Sequence, residues 1–190
     1  MTTIPSGRYS CFMKKESAKG KLLESAKKIL KEEGYEKFTL DSLAKKTGVS
    51  KGGVLYHFPT KERLIQEIIE NLIIRFENRL HSEENADSSG SWTLRYFQAT
   101  LDDLDDSDLQ SSGIIAALAS NPHLLLPLVE KYSAWKQKFK KEKMDQSLAD
   151  ILRFAADGIW FNEVFGLSVL SRKEKKQILE RAEKLAGEKK

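Results

Sequence analysis

Four consecutive residues, Ser50, Lys51, Gly52 and Gly53, put a hydroxyl, an ammonium and two stretches of bare backbone side by side. That mixture suits gripping a phosphate and reaching a base edge. A helix N-terminus beside a lysine attracts phosphate, glycine lets backbone approach another surface closely, and lysine can bond a guanine edge. Tyr56 and His57 follow within two turns and could meet phosphates or, for His57, a base edge. Thr39 and Lys61 bracket the stretch and could hold the nucleic-acid backbone. The rival reading is an ordinary helical hairpin in a core, with Tyr56 packed on a neighbouring helix. Gly52 and Gly53 are poor helix formers that bury almost nothing, which favours contact with DNA. Val54, Leu55 and Phe58 read as core.

Catalytic chemistry finds little footing. His57, His81 and His123 are scattered, with no HExxH pattern, no paired cysteines and no serine elbow. The lysine of GKLLES lacks the preceding glycine of a phosphate loop. The run DDLDDSD, Asp102 to Asp108, lacks the glycine and closing glutamate of a calcium loop and reads as a solvated connection. Neither a metal nor a cofactor is expected, and the chain does not read as an enzyme.

Positioning those residues requires two short helices and a tight turn. Thr39 caps a helix from Leu40, whose stripe is Leu43 and Ala44; Gly48 stands where a left-handed C-cap is needed. Ser50 caps a second helix running to about Phe58, where Pro59 stops it. Helix, glycine-bearing turn and helix is the arrangement whose second helix enters the major groove. A preceding helix, Ala18 to Glu33, should cover the pair with Leu22, Leu23, Ala26, Ile29 and Leu30.

Downstream, only helical periodicity recurs, so the fold class is all-α. A long helix from Lys61 to about Leu80 has a broad apolar face, and HSEENADSSG reads as a loop. Further helices are expected near 91–104, 109–120, 125–143 and 145–167. Ser171 and Glu174 form a capping box for a last one to about Leu185. The helix carrying Ile151 to Leu167 is apolar nearly all round, so something must cover two sides of it. One side can be its own core; a second copy of the chain, meeting Val164, Ile178 and Ala182 in a four-helix bundle, would cover the other. Among the aromatic residues, Tyr96, Phe97, Tyr132, Trp135, Trp160 and Phe161 are candidates to line a ligand pocket, or else simple core. Asp157 either pairs with Arg153 one turn earlier or lines such a pocket and favours a cationic or hydroxylated ligand.

Composition bounds the rest. The chain has 190 residues, 32% charged and 40% hydrophobic, enough for a real core in one or two domains. Its net charge of +4 is unevenly divided. Residues 1–64 hold 14 Lys and Arg against 7 Asp and Glu, so the front is basic and the remainder mildly acidic. The longest apolar runs, Ile114–Ala119 and Leu124–Val129, are far short of the roughly 20 residues a membrane helix needs, and no apolar leader is evident near Met1. One cysteine, Cys11, excludes an internal disulfide and fits the cytoplasm. Residues 1–17 read as a flexible arm, with Met13 an alternative start and Lys14, Lys15, Lys19 and Lys21 able to add phosphate contacts.

Across about residues 21–64, the chain also resembles a known family. GVSKGGVLYHFPTKERL, preceded by FTLDSLAKKTG and by a helix ending in EEGY, closely resembles the N-terminal domain of TetR-family transcriptional repressors. Many members carry threonine, then leucine and tyrosine, in the recognition helix. Here Gly53, Val54 and Leu55 precede Tyr56, so the operator does not carry over. Tyr56 resembles the family's phosphate-contacting tyrosine, shifted by one place. The resemblance implies dimerisation through the last two long helices and an effector pocket within the body.

The expected organisation is an arm (1–17), a helix-turn-helix DNA-binding domain (18–62) and a helical effector-binding and dimerisation domain (63–190). Expected partners are a double-stranded palindromic operator, a small apolar or amphiphilic effector and a second copy of the chain. A constitutive DNA-binding protein without an effector, or a small carrier or enzyme with an incidental helix-turn-helix, is the competing reading.

Overall fold

The computed structural model describes residues 17–82, 91–105, 117–118 and 120–187, and among them every regular element is helical. The expected arm up to residue 16, most of the expected helix over 109–120 and the end of the acidic run lie outside these residues. Helix α1 spans Ala18–Glu33, α2 Leu40–Thr47, α3 Lys51–His57 and α4 Lys61–Leu80. Helices α5 (Trp92–Asp105), α6 (Leu126–Lys140), α7 (Gln146–Val164) and α8 (Arg172–Gly187) follow, with a 3-10 turn over Pro122–Leu125 ahead of α6.

Local chemistry sets most of these boundaries. Ser17, Thr39, Ser50 and Thr60 each accept a backbone N–H three residues on, and Ser42 completes a capping box with Thr39. Gly48 closes α2 at φ 72°, the left-handed conformation that Cβ-bearing residues avoid. Helix α7 stops at Val164 rather than Leu167 for a similar reason. Gly166 sits at φ 66°, the Gly166 amide donates to the Glu163 carbonyl, and the Leu167 amide donates to that of Asn162. These paired bonds form a Schellman motif, which turns the chain away before Leu167 can join the helix.

The first three helices wrap one core. Leu22, Ala26, Ile29 and Leu30 of α1 meet Leu43 of α2 and Val54 of α3, with Phe38 and Phe58 fully buried between them. Burying each such side chain is worth about 1.5–3 kcal/mol. Helix α4 extends that core through Leu64 and Ile65 and continues along its own length into the body.

In the body, α5 is central. It packs most extensively on α7, and also meets α4, α6 and α8. Its ends are held by charge: Glu142 accepts from the Ser91 hydroxyl at 2.7 Å and from the Thr93 amide at 3.0 Å and hydroxyl, while Asp103 faces Arg75 and Arg79 of α4. The turn from α7 to α8 is pinned by a buried pair, Lys175 Nζ standing 3.2 Å from Glu163, which also accepts from the Leu170 amide. No helix of the described residues is long and apolar enough to cross a membrane.

Candidate nucleic-acid interface and ligand cavity

The α3 surface is built from the outside of a helix whose inner side is Val54. Its exposed face carries Lys51, Gly52, Leu55 and Tyr56, four residues at helical spacing. Tyr56 is 84% exposed and packs edge-on against His57, so it is not held against α1. Leu55, expected in the core, is 37% exposed and shares the face with Lys51 one turn earlier. It faces outward because α3 turns only Val54 inward before Phe58 leaves the helix. Leu55 therefore joins the candidate DNA-facing residues, a position its apolar type disguised.

The two glycines separate. A Cβ on Gly53 would come within 2.9 Å of Val49 Cγ1 and 3.3 Å of Ser50 Oγ, so that glycine is required by the turn itself. A Cβ on Gly52 would meet nothing within 4 Å. The fold itself therefore does not require glycine at position 52, which leaves that backbone open to close approach, whereas packing already accounts for Gly53.

The lysines also differ. Lys51 pairs with Asp41 at 3.0 Å, with both side chains more than half exposed. Such a pair contributes about 0–1 kcal/mol and yields readily to a phosphate. Lys61 instead donates to the Tyr35 carbonyl at 2.6 Å and lies 3.6 Å from the centre of the Tyr35 ring. Burial holds its ammonium below the ordinary lysine value. Its ammonium fastens the start of α4 to the α1–α2 connection, a different partner from the nucleic-acid backbone expected for it. Thr39 and Ser50 spend their hydroxyl oxygens as caps.

A second candidate site lies in the body. Helices α4, α5, α6 and α7, with Leu118 and Leu125, line a partly open cavity of ≈ 180 Å³. From the expected set, Tyr96, Tyr132, Trp135, Asp157 and Trp160 line it, together with Phe76, Leu72 and Val164. Its wall is apolar apart from Thr100 and Asp103 of α5 and one polar edge. There the Tyr96 hydroxyl donates to Asp157 Oδ1 at 2.7 Å and stands 3.0 Å from the Tyr132 hydroxyl. Burial, reinforced by its Tyr132 and Asp157 neighbours, pushes the Tyr96 phenol far above the usual range; burial does the same to Tyr132. Both therefore stay neutral hydrogen-bonding groups at any ordinary pH. The two readings of Asp157 hold together, since it lines the cavity and also lies 3.8 Å from Arg153.

Four expected positions fall elsewhere. Phe97 is 1% exposed and faces a separate groove between α5, α7 and α8, because it is one residue, hence about 100°, round the helix from Tyr96. Phe161 is 47% exposed and stacks on Phe165 with ring centres 4.2 Å apart, pointing outward. Val164, expected at a subunit interface, lines the inner cavity instead. Ala182, expected there too, is 3% exposed within this single chain because α8 packs on α5, so it has no surface to offer. Ile178 is partly buried in the same groove as Phe97.

Comparison with known proteins accounts for both halves of the chain. Residues 22–68 match "Bacterial regulatory proteins, tetR family", and residues 90–187 match "Tetracyclin repressor-like, C-terminal domain". The regulator EthR of Mycolicibacterium smegmatis is 29% identical over 85 residues, covering 43% of this chain and 39% of that protein. IcaR of Staphylococcus epidermidis, a negative transcriptional regulator of a biofilm operon, is 24% identical over 107 residues, covering 56% of each. The matched segments thus span less than two thirds of these curated relatives. A transcriptional regulator of Rhodococcus sp. Rha1 has the same fold, with TM-score 0.65 and 17% identity over 90% of this chain and 96% of its own. With family matches over both the DNA-binding helices and more than half of the chain beyond them, the protein belongs to the TetR family of transcriptional regulators.

Proposed function

We propose that the chain is a cytoplasmic, homodimeric repressor that binds a roughly palindromic operator through paired α3 helices and is released by a small apolar or amphiphilic molecule. On this reading, residues 18–62 form the DNA-binding unit and the remainder the effector-binding and dimerisation unit, with no catalytic role. The observation that carries it is the position of α4. Its first turn follows α3 after three intervening residues and is fastened through Lys61 to the α1–α2 connection, while Ile69, Leu72, Ile73 and Phe76 further along form one wall of the cavity. A molecule occupying the cavity would act on the element that sets the spacing of the two α3 helices. The effect requires different affinity for two body conformations, about 1–3 kcal/mol in typical coupled systems.

Dimerisation is supported by a stripe on α7. Ile151, Phe154, Phe161 and Phe165 recur at spacings of 3, 7 and 4 along one side of the helix, and all are exposed in the single chain. An apolar row of this kind is costly to leave in water. It replaces Val164 and Ala182 as the surface expected to meet a second copy. The repressor sign is consistent with IcaR, itself a negative regulator.

Selection of bound duplexes from a random pool should return inverted repeats. Titration of the selected duplex, with and without candidate effectors, on wild type and Trp160→Ala then tests the coupling. Release of wild type at a lower effector concentration than Trp160→Ala, with equal basal affinity, is the expected result. Equal release of both would place the effector elsewhere.

A further inference from the structure

The cavity's charge is unevenly balanced along its wall. Among the described residues that line it, the only formally charged side chains are the carboxylates Asp103 and Asp157. Asp103 is matched twice, with Arg75 Nε at 3.3 Å and Arg79 Nε at 3.7 Å. Asp157 is matched loosely. Its one guanidinium neighbour, Arg153, stands 3.8 Å from Oδ2, longer than the 2.7–2.9 Å or so of a charge-assisted hydrogen bond. That same guanidinium is shared with Asp150 at 3.4 Å and lies over the Phe154 ring at 4.0 Å. Two carboxylates therefore divide one cation, which leaves the Asp157 edge of the cavity net negative, whereas Asp103 is outnumbered by its two guanidiniums.

The aromatic groups around Asp157 fit the same chemistry. The rings of Phe76, Tyr96, Tyr132 and Trp135 form a linked cluster, with centre-to-centre distances of 5.4 Å for Phe76–Tyr96, 5.2 Å for Phe76–Trp135 and 5.5 Å for Tyr132–Trp135. Ring faces attract cations, most strongly where water is excluded, and a quaternary ammonium needs no hydrogen-bond partner. An anionic ligand would meet Asp157 and two neutral phenols, with no lysine or arginine among the described lining residues to compensate. A cavity of about 150 Å³ admits benzene; one of ≈ 180 Å³ suits an arylammonium head of similar bulk.

We infer that the cavity is selective for lipophilic organic cations, with Asp157 as counter-ion and the Phe76, Tyr96, Tyr132 and Trp135 cluster as the cage. The inference rests on the effector-responsive reading above and narrows it to one ligand class.

Calorimetric titration of the full-length protein with three small probes tests it: phenyltrimethylammonium, its neutral isostere tert-butylbenzene, and 3-phenylpropionate. The ammonium should bind about tenfold or more tightly than the isostere, and the carboxylate weakest. Asp157→Asn should erase the preference while leaving tert-butylbenzene binding in place, which also shows that the variant is folded. Should Asp157→Asn fail to fold, Arg153→Gln carries the test, because removing the competing guanidinium should tighten the ammonium alone. Equal or tighter binding of tert-butylbenzene, tightest binding of 3-phenylpropionate, or an unchanged preference in Asp157→Asn would overturn the inference. So would failure of all three probes to bind. Binding of phenyltrimethylammonium with the selected duplex still held would instead sustain the cation site and sink the release mechanism.

Discussion

At the level of single residues, the α3 glycines and the two lysines yield opposed expectations. Gly52→Ala adds a methyl to open space and gains helix propensity, so thermal stability should rise by about 0.5–1 kcal/mol while operator affinity falls. Gly53→Ala drives a Cβ into Val49, a stiff β-branched side chain, and should destabilise, since overpacking costs about 1–3 kcal/mol. Paired melting and binding curves check both; a Gly52→Ala protein with unaltered affinity would mean that no DNA backbone comes close there. Lys51→Ala should reduce the salt dependence of binding by about one unit of slope with little change in melting temperature. Lys61→Ala should lower the melting temperature, since it removes the bond to the Tyr35 carbonyl. This is also where sequence reading ran short. Leu55 looks like core by type, and only the packing of α3 reveals that Val54 and Phe58 fill the available space without it.

At the level of elements, the helices were legible because their ends are written in short-range chemistry. Thr39, Gly48, Ser50, Thr60 and the Ser171–Glu174 box act within four residues, so no tertiary knowledge was needed to place α2, α3, α4 or the start of α8. Facing was harder. Phe97 and Phe161 are aromatic like Tyr96 and Trp160, yet which side of α5 or α7 turns inward depends on where α4 and α6 lie. The edge of the cavity made by α5, α6 and α7 has its own signature in alkali. Tyr96 is protonated in the fold well past the pH at which it ionises in the unfolded chain, near 10. The unfolded state then binds fewer protons, so this residue's contribution is intact below pH 10 and is lost above it, by about 1.4 kcal/mol per pH unit. Tyr96→Phe should flatten stability against pH between 10 and 11.5 relative to wild type; parallel curves would mean that the phenol is not buried as described.

At the level of the whole molecule, the division of labour in α7 decides assembly. One side, with Asp157, Trp160 and Val164, faces the cavity, and an adjacent side about 100° round, with Ile151, Phe154, Phe161 and Phe165, faces solvent in the single chain. Phe161→Asp should therefore lower the mass measured by light scattering while leaving helix content largely unchanged. Val164→Asp should disturb ligand binding before it disturbs mass. A wild-type protein that sediments as a monomer at micromolar concentration would remove the dimer altogether. That the all-round apolar character of α7 required two partners was visible in its sequence; which residues served which partner was not, because both faces use the same residue types.

The tryptophans give the cavity an optical consequence. The chain has three. Trp135 and Trp160 line the cavity, and Trp92 packs away from it, against His81 at a ring distance of 5.6 Å. Trp135 also directs its indole N–H toward Glu77 of α4 at 3.4 Å. The α1–α3 module contains no indole at all, so its encounter with DNA is nearly silent in ultraviolet emission. Occupancy of the cavity and any displacement of Glu77 would alter the colour and brightness of two emitters out of three. The molecule thus carries its own indicator, one that reports the inner event separately from the outer one and needs no attached dye.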